Sequence, residues 1–318
     1  MAKSIKSRES RISLCGKAVI FLEGVITGIK YVRVLLCDEF LCPVCGAKNG
    51  PIHRKRKIRM IQRIKRFYGI LDGLAFRKFV FTLPEQFRDD LLSKDKLNKF
   101  IRIAVGVVQK FYPGRLISSD VHLFGDRDLV YKPHVNVYVT ERISAPGKSF
   151  GVKMKIDPGV LCEVKARYIK GLRGAGYSLD AADVNYTFTL KKPQFLHSIR
   201  YLTRPCPDYT ILKALETENG SLYNFLLSDE MRNFKYIRHS RQVVDQSQFV
   251  PGDEVLKLEK LRYVDRDHYT MRAFFEAYRC HERIEVYPGF YAYQSGGFSD
   301  EERAYLNGGR ILNGGGGL

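Results

Sequence analysis

Long apolar runs are missing from this chain. None of its 318 residues belongs to a run that approaches the ~18 apolar residues a helix needs to cross a bilayer. The basic first ten residues lead into a segment that Arg11 and Lys17 interrupt, which makes a poor signal peptide. We therefore expect a cytoplasmic protein rather than a membrane or secreted one.

Acidic residues are also scarce. The 34 Asp and Glu are outnumbered by 53 Lys and Arg, which gives a formal net charge of +19. Such an excess predicts a polyanionic partner, most commonly nucleic acid. Hydrophobic residues make up 45% of the chain and aromatic residues 12%, enough for a packed core, so the composition excludes a wholly disordered protein.

Cysteines are too few and too unevenly placed for a disulfide framework. There are seven, an odd number, and four lie within the first 45 residues. Cys42 and Cys45, separated by two residues in a Pro- and Gly-bearing turn, match a knuckle that places two thiolates on one Zn²⁺ ion, with Cys37 as a third ligand. The fourth ligand is either Cys15 or His53. The alternative is that Cys15 and Cys37 are simply buried thiols.

Composition divides the chain into four segments. Residues 1–72 hold the cysteines and a basic helix, 73–206 a compact α+β domain, 207–306 a strand-rich C-terminal region, and 307–318 a flexible Gly-rich tail. The helix has apolar residues at a three-residue interval and is expected to grip nucleic-acid backbone, although its charges would also suit a solvated face. Its candidate DNA-binding residues are Arg54, Lys55, Arg56 and Lys57.

The central segment alternates strand and helix patterns. The predicted order is β-α-β-β-α-β, that of the ferredoxin-like split βαβ unit with an antiparallel sheet. A turn at 125–128 joins the two middle strands. The predicted elements are strand 78–83, helix 85–111, strands 115–124 and 134–142, helix 158–170, strand 183–190 and helix 193–201.

The region from Asp208 onward is predicted to be strand-rich. Asn219-Gly220 before an apolar stretch indicates a hairpin around Leu222–Phe225. A helix is expected over Tyr269–His281.

Two groups in the central segment can carry chemistry. His134 and Asn136 point to the same face of a strand, where they make a candidate divalent-cation site, with His122 on the preceding strand as a third ligand. A lone strand histidine is more often structural. Tyr201 is a candidate nucleophile toward a phosphodiester, flanked by Arg200 and Arg204, which could contact phosphate or simply lie in solvent.

Together these features resemble the zinc-ribbon two-tyrosine insertion-sequence transposases of the HUH endonuclease superfamily, which also includes rolling-circle replication initiators. The resemblance runs along nearly the whole chain. It is carried by Cys37-x4-Cys42-Pro-x-Cys45, Phe79-Val-Phe-Thr-Leu-Pro84, Val121-His-Leu-Phe-Gly-Asp-Arg-Asp128 with Lys132-Pro-His134-Val-Asn136, Arg200-Tyr-Leu-Thr-Arg204, and Tyr287-Pro-Gly-Phe290 with Tyr293 and Gly296.

The resemblance implies an enzyme that nicks single-stranded or hairpin DNA with the help of Mg²⁺ or Mn²⁺. Tyr201 would form a 5′-phosphotyrosine link and release a 3′-hydroxyl, which would start rolling-circle replication or transposition of a plasmid, virus or mobile element in a host cell. Host replication proteins and a second copy of the chain are the implied partners.

Two departures from the family pattern matter. Asn136 stands where the family has its second histidine, which indicates an altered metal preference, because an amide oxygen suits Mg²⁺. Pro205 stands where the second tyrosine would be, so this is a single-tyrosine chain unless Tyr209 substitutes. The alternatives are a non-catalytic nucleic-acid-binding protein on the same fold and an RNA-binding zinc-ribbon protein.

Overall fold

A computed structural model describes residues 12–25, 27–39, 42–69, 71, 73–125, 130–142, 156–189, 192–204, 209–232, 234–240, 261–267, 271–287 and 290–306. The predicted Gly-rich tail and most of the predicted turn at 125–128 lie outside these residues. The fold is α+β and contains two five-stranded antiparallel sheets. Within the described ranges, no helix is both long and apolar enough to span a bilayer.

The strands and helices are numbered in chain order. The strands are β1 (Val19–Gly24), β2 (Lys30–Val34), β3 (Leu74–Thr82), β4 (Leu116–Phe124), β5 (Tyr131–Arg142), β6 (Val184–Thr189), β7 (Ile237–His239), β8 (Leu261–Asp267), β9 (His281–Tyr287) and β10 (Phe290–Ser295). The helices are α1 (Pro51–Tyr68), α2 (Lys94–Phe111), α3 (Pro158–Arg173), α4 (Lys192–Thr203), α5 (Tyr209–Glu218), α6 (Gly220–Leu227), α7 (Asp229–Arg232), α8 (Met271–Ala277) and α9 (Asp300–Leu306).

The chain divides into two compact units. The terminal unit comprises residues 6–59 and 245–318, and the central unit comprises residues 60–244 with 1–5. In the terminal unit the strand order is β8-β1-β2-β10-β9. Strands from the predicted 1–72 and 207–306 segments therefore pair in one sheet.

The sheet of the terminal unit buries side chains on both faces because its strands alternate. Phe21 and Val32 pack on one face against Phe274 of α8. On the other face, Tyr31 stacks on Phe290 with ring centroids 5.2 Å apart. A strand that is covered on both faces is stabilised by apolar residues at successive positions. This explains the apolar runs in β1 and β10.

The central sheet has the strand order β6-β3-β5-β4-β7, and every neighbouring pair is antiparallel. The predicted order of strands and helices from β3 to α4 is confirmed. Asp157 caps α3, since its carboxylate accepts hydrogen bonds from the N–H groups of Gly159 and Val160, and Pro158 fits the first turn.

Helices cover both faces of this sheet. Phe81 contacts Tyr168 of α3 at 4.8 Å between ring centroids, and the Tyr168 hydroxyl donates to the carbonyl oxygen of Thr82. On the opposite face Phe76 stacks on Phe195 of α4 at 4.3 Å, and Ile64 of α1 joins the same buried cluster. The face that carries Phe76 also carries the candidate site described below.

Three predicted elements are wrong or incomplete. Residues 219–227 form no hairpin: the Asn219 side chain accepts a hydrogen bond from the N–H of Leu222 and caps α6, because Asn-Gly begins helices as well as turns. Helices α5 to α7 precede the C-terminal strands, so the region after Asp208 is not uniformly strand-rich. The single helix expected over 85–111 is two 3₁₀ turns followed by α2.

Acid is expected to destabilise the central unit through His239. Burial, and then the charge of Arg63, lower the pKa of His239 to about 3, while an unfolded histidine titrates near 6.5. Between these values only the unfolded chain takes up the proton, so stability is complete above pH 6.5 and falls as the pH drops toward 3. From pH 7 to 4 the loss from this group is about 3 kcal/mol.

Urea unfolding at pH 7 and pH 4 measures this effect. In His239→Asn the drop in the free energy of unfolding between the two pH values should shrink by roughly that amount. An equal drop in both proteins would remove His239 as its source.

Candidate functional sites

Four cysteines meet at the start of the terminal unit. Cys15 precedes β1, Cys37 follows β2, and Cys42 and Cys45 lie in the turn before α1. Because β1 and β2 pair antiparallel, the segment before β1, which holds Cys15, lies beside the segment after β2, which holds Cys37. Within the described part of the chain these four form the one compact group of three or more His, Cys, Asp or Glu ligands, with all their sulfur atoms within 4.8 Å of one another.

The spacing of the sulfur atoms fits a tetrahedral metal. The Sγ atoms of Cys15 and Cys45 are 3.4 Å apart, and those of Cys37 and Cys45 are 3.9 Å apart. A tetrahedral Zn²⁺ ion with bonds of about 2.3 Å separates its sulfur ligands by about 3.8 Å. These four residues could therefore hold a metal such as zinc, as the sequence predicted.

Backbone N–H groups favour thiolates in this cluster. The N–H groups of Val44 and Cys45 both lie 3.4 Å from the Cys42 sulfur, and that of Cys37 lies 3.4 Å from the Cys15 sulfur. Hydrogen bonds among the thiols, with Cys15 the largest cause in each case, lower the pKa of Cys42 and raise that of Cys45. A thiolate is the form that binds metal.

The structure decides between the two candidate fourth ligands. Cys15 belongs to the cluster, and His53 does not. His53 is instead buried in α1, where its Nδ1 accepts a hydrogen bond from the N–H of Asn49 at 3.1 Å. The sequence could not separate the two because both lie at acceptable spacings from Cys42.

The second site lies on the central sheet. In the antiparallel pairing of β4 with β5, His122 lies opposite His134, and Asp120 lies opposite Asn136. Side chains two apart on a strand share a face, so all four lie on the face that α4 covers. The structure thus brings the predicted residues together and adds Asp120, which the sequence analysis missed although Asp120-Val121-His122 mirrors His134-Val135-Asn136.

Tyr201 extends from α4 onto this face. Its hydroxyl oxygen is 3.2 Å from the Nδ1 of His122 and 3.3 Å from the Nη2 of Arg204. The Arg204 guanidinium lies 4.1 Å and the Lys78 ammonium 4.5 Å from the centroid of the tyrosine ring. Two cations and a histidine therefore surround one phenol, a group that is nucleophilic once it loses its proton.

His122 is oriented by its neighbours on both sides. Its Nε2 is 2.5 Å from the Oδ2 of Asp120, and its Nδ1 accepts from the Nη2 of Arg204 at 2.8 Å. Both ring nitrogens of His122 therefore face protein groups, Asp120 on one side and Arg204 and Tyr201 on the other.

His134 is prepared for metal binding instead. Its Nδ1–H donates to the carbonyl oxygen of Lys132 at 2.9 Å, which leaves Nε2 with a free lone pair. Burial, and then the proximity of His122, lower its pKa to about 4, so the ring is neutral near pH 7. A neutral imidazole with its second nitrogen anchored is the usual metal-ligand form.

Asn136 and Asp120 add oxygen atoms to this face. The amide nitrogen of Asn136 donates to the Oδ2 of Asp120 at 3.3 Å. The Oδ1 atoms of both residues are buried and make no hydrogen bond to the described residues. Buried oxygen atoms without donors suit a hard cation such as Mg²⁺ or Mn²⁺. Asp120, His122 and His134 do not, however, form a compact three-ligand group.

The predicted basic residues have different surroundings. Arg54 forms an ion pair with Glu285, and Lys55 with Asp38 at 3.0 Å, so both have acidic partners within the terminal unit. Arg56 and Lys57 follow on α1. On α4, Arg200 is exposed, whereas Arg204 is half-buried against Tyr201. Pro205 and the side chain of Tyr209 lie outside the described residues.

Comparison with known proteins gives no family for this chain. No protein-family model matches it, and neither a curated protein nor a solved structure matches it significantly.

Proposed function

We propose that the protein is a metal-dependent single-stranded DNA endonuclease and strand transferase with Tyr201 as its nucleophile. The observation that carries the proposal is the convergence of the Tyr201 hydroxyl, His122 and Arg204 on the sheet face that also bears His134 and Asn136. The strand order β6-β3-β5-β4, with α2 and α3 in the two crossovers, is the one expected of a ferredoxin-like unit and supports the same reading.

Each residue then has a defined part in the reaction. The Tyr201 oxygen attacks the scissile phosphorus, a bond forms between them, and the bond from phosphorus to the 3′ oxygen breaks. The products are a 5′-phosphotyrosine link and a 3′-hydroxyl, which takes its proton from water. His122, held by Asp120, accepts the Tyr201 proton at Nδ1, while Arg204 turns from His122 to the phosphate.

A divalent cation fits beside these groups. His134, through Nε2, and Asn136, through its unpartnered Oδ1, would hold Mg²⁺ or Mn²⁺. Such an ion would polarise the phosphate oxygen and stabilise the charge that develops there.

One tyrosine supports one transesterification per subunit. A second copy of the chain, or a 3′-hydroxyl of DNA, would make the second attack, and the 3′-end released by the first would serve a host polymerase. These requirements suit the start of rolling-circle replication or transposition of a plasmid, virus or mobile element.

A non-catalytic nucleic-acid-binding protein is the second candidate. It is favoured by Asn136, which replaces an imidazole ligand, and by the lack of a compact three-ligand group around it among the described residues. A protein of this kind would bind DNA through its net charge of +19 without attaching to it.

Covalent attachment separates the two. The protein is incubated with a pool of labelled single-stranded oligonucleotides from its native replicon and Mn²⁺, then run on a denaturing gel. The endonuclease gives a labelled protein band that a chelator prevents. Retarded DNA on a native gel, without a denaturation-resistant band, would instead establish the binding protein.

A further inference from the structure

A basic groove lies in the central unit, between α2 and residues 234–240. It consists of two adjoining cavities of about 560 and 420 Å³. Both are lined by Arg102, Lys235 and Arg238, so they form one continuous groove. We call this surface the α2 groove.

Positive charge dominates its lining. Lys94, Arg102, Lys235 and Arg238 line it, and Asp95 is the one acidic residue among the described lining residues. Arg102 and Lys235 are exposed, and neither has an ion-pair partner within the part of the chain that the structure describes. The lysine and arginine side chains that line the groove therefore carry more positive charge than Asp95, its one described acidic residue, can neutralise.

Arg238 is fixed in place at the centre. Its guanidinium donates to the Asn98 side chain and to the carbonyl oxygen of Lys235, and lies 5.5 Å from the centroid of the Phe234 ring. Burial, and then the charge of Arg102, lower its pKa. The guanidinium groups of Arg102 and Arg238 are therefore close enough to repel each other. An anion bound beside them would reduce this repulsion.

The α2 groove is separate from the Tyr201 site. Ile117 and Ser119 of β4 line it, whereas Asp120 and His122 belong to the opposite face of the same strand. A ligand in the groove therefore leaves the Tyr201 site uncovered.

We propose that the α2 groove binds the phosphodiester backbone of single-stranded DNA without reading its bases. The inference rests on the proposed function in one respect, because it takes the ligand to be a flank of the strand that Tyr201 cleaves. Backbone contact follows from the donors present: guanidinium and ammonium groups match phosphate oxygens. Base stacking is excluded for Phe234, whose ring is 4% exposed and covered by Arg238.

The test measures binding without cleavage. Arg102→Gln/Lys235→Gln is made in Tyr201→Phe protein, and its affinity for a labelled oligothymidylate is followed by fluorescence anisotropy from about 50 to 200 mM salt. Affinity should fall about tenfold, and the salt slope should decrease by roughly 1.4, since each phosphate contact on a single strand contributes about 0.7. The matched control is Lys110→Gln/Lys170→Gln, which removes two exposed charges outside the groove. Thermal unfolding checks that both variants fold.

Two results would overturn the proposal. One is an affinity and salt slope equal to those of the control. The other is an equal loss of affinity for single strands and for a duplex of the same length, which would replace the single-strand assignment with general polyanion binding. If the groove variant loses affinity as expected but no covalent adduct forms at Tyr201, the endonuclease is refuted. The groove then remains a DNA-binding surface.

Discussion

Tyr201→Phe is expected to lose covalent attachment to DNA by at least about 1,000-fold, the order of loss caused by removing an enzyme's nucleophile. The substitution removes one oxygen atom. It retains the ring, which contacts the Arg204 and Lys78 cations and the His122 ring. Folding and DNA binding should therefore persist while the reaction stops. The measurement is the labelled band on a denaturing gel, with binding to the same oligonucleotide measured in parallel.

Tyr223→Phe is the matched control. Tyr223 is a half-buried tyrosine of α6, a helix that contributes none of the residues assigned to the central-sheet site, and the substitution removes the same oxygen. Its adduct yield should equal that of the wild type. A band that persists in Tyr201→Phe would assign the nucleophile to another of the 19 tyrosines. Loss of DNA binding together with the band would instead assign Tyr201 a structural role.

The central-sheet site could be largely predicted because its information is local. Alternation along β4 and β5 places His122, His134 and Asn136 on one face, and the helical period of α4 directs Tyr201 toward it. Asp120 was missed because a single aspartate on a strand names no partner, and the match between Asp120-Val121-His122 and His134-Val135-Asn136 gains meaning only once the two strands are paired. Asp120 belongs to the site because it lies opposite Asn136 in the strand pairing and contacts His122.

The pairing of strands that are far apart in the chain was harder to predict from the sequence. β2 lies in the first segment of the chain and pairs with β10, more than 250 residues later. Neither strand contains a local signal of its partner, because register depends on which faces are buried after folding.

The Asn219-Gly220 pair was ambiguous for a different reason, because the same two residues can begin a hairpin or a helix. The burial of Leu222 and Leu226, four residues apart on one side of α6, identifies a helix.

Cys42→Ser is expected to unfold the terminal unit at a lower temperature and to remove its metal. Cys42 is fully buried, and its sulfur accepts two backbone hydrogen bonds that position the turn before α1. Structural Zn²⁺ contributes roughly 10–16 kcal/mol of binding free energy in small zinc domains, and loss of one thiolate forfeits several kcal/mol of it. The midpoint of thermal unfolding should therefore fall by about 10 °C or more.

Metal content and calorimetry check this prediction together. The wild-type protein should carry one equivalent of zinc and lose the same stability when a strong chelator removes it. Cys162→Ser is the control, because Cys162 is exposed on α3 and lies outside the cluster. If the wild type holds no zinc and a chelator leaves its unfolding unchanged, the four cysteines are a buried thiol cluster. In that case the turn before α1 is held by its backbone hydrogen bonds and by packing around Ile52, without a metal.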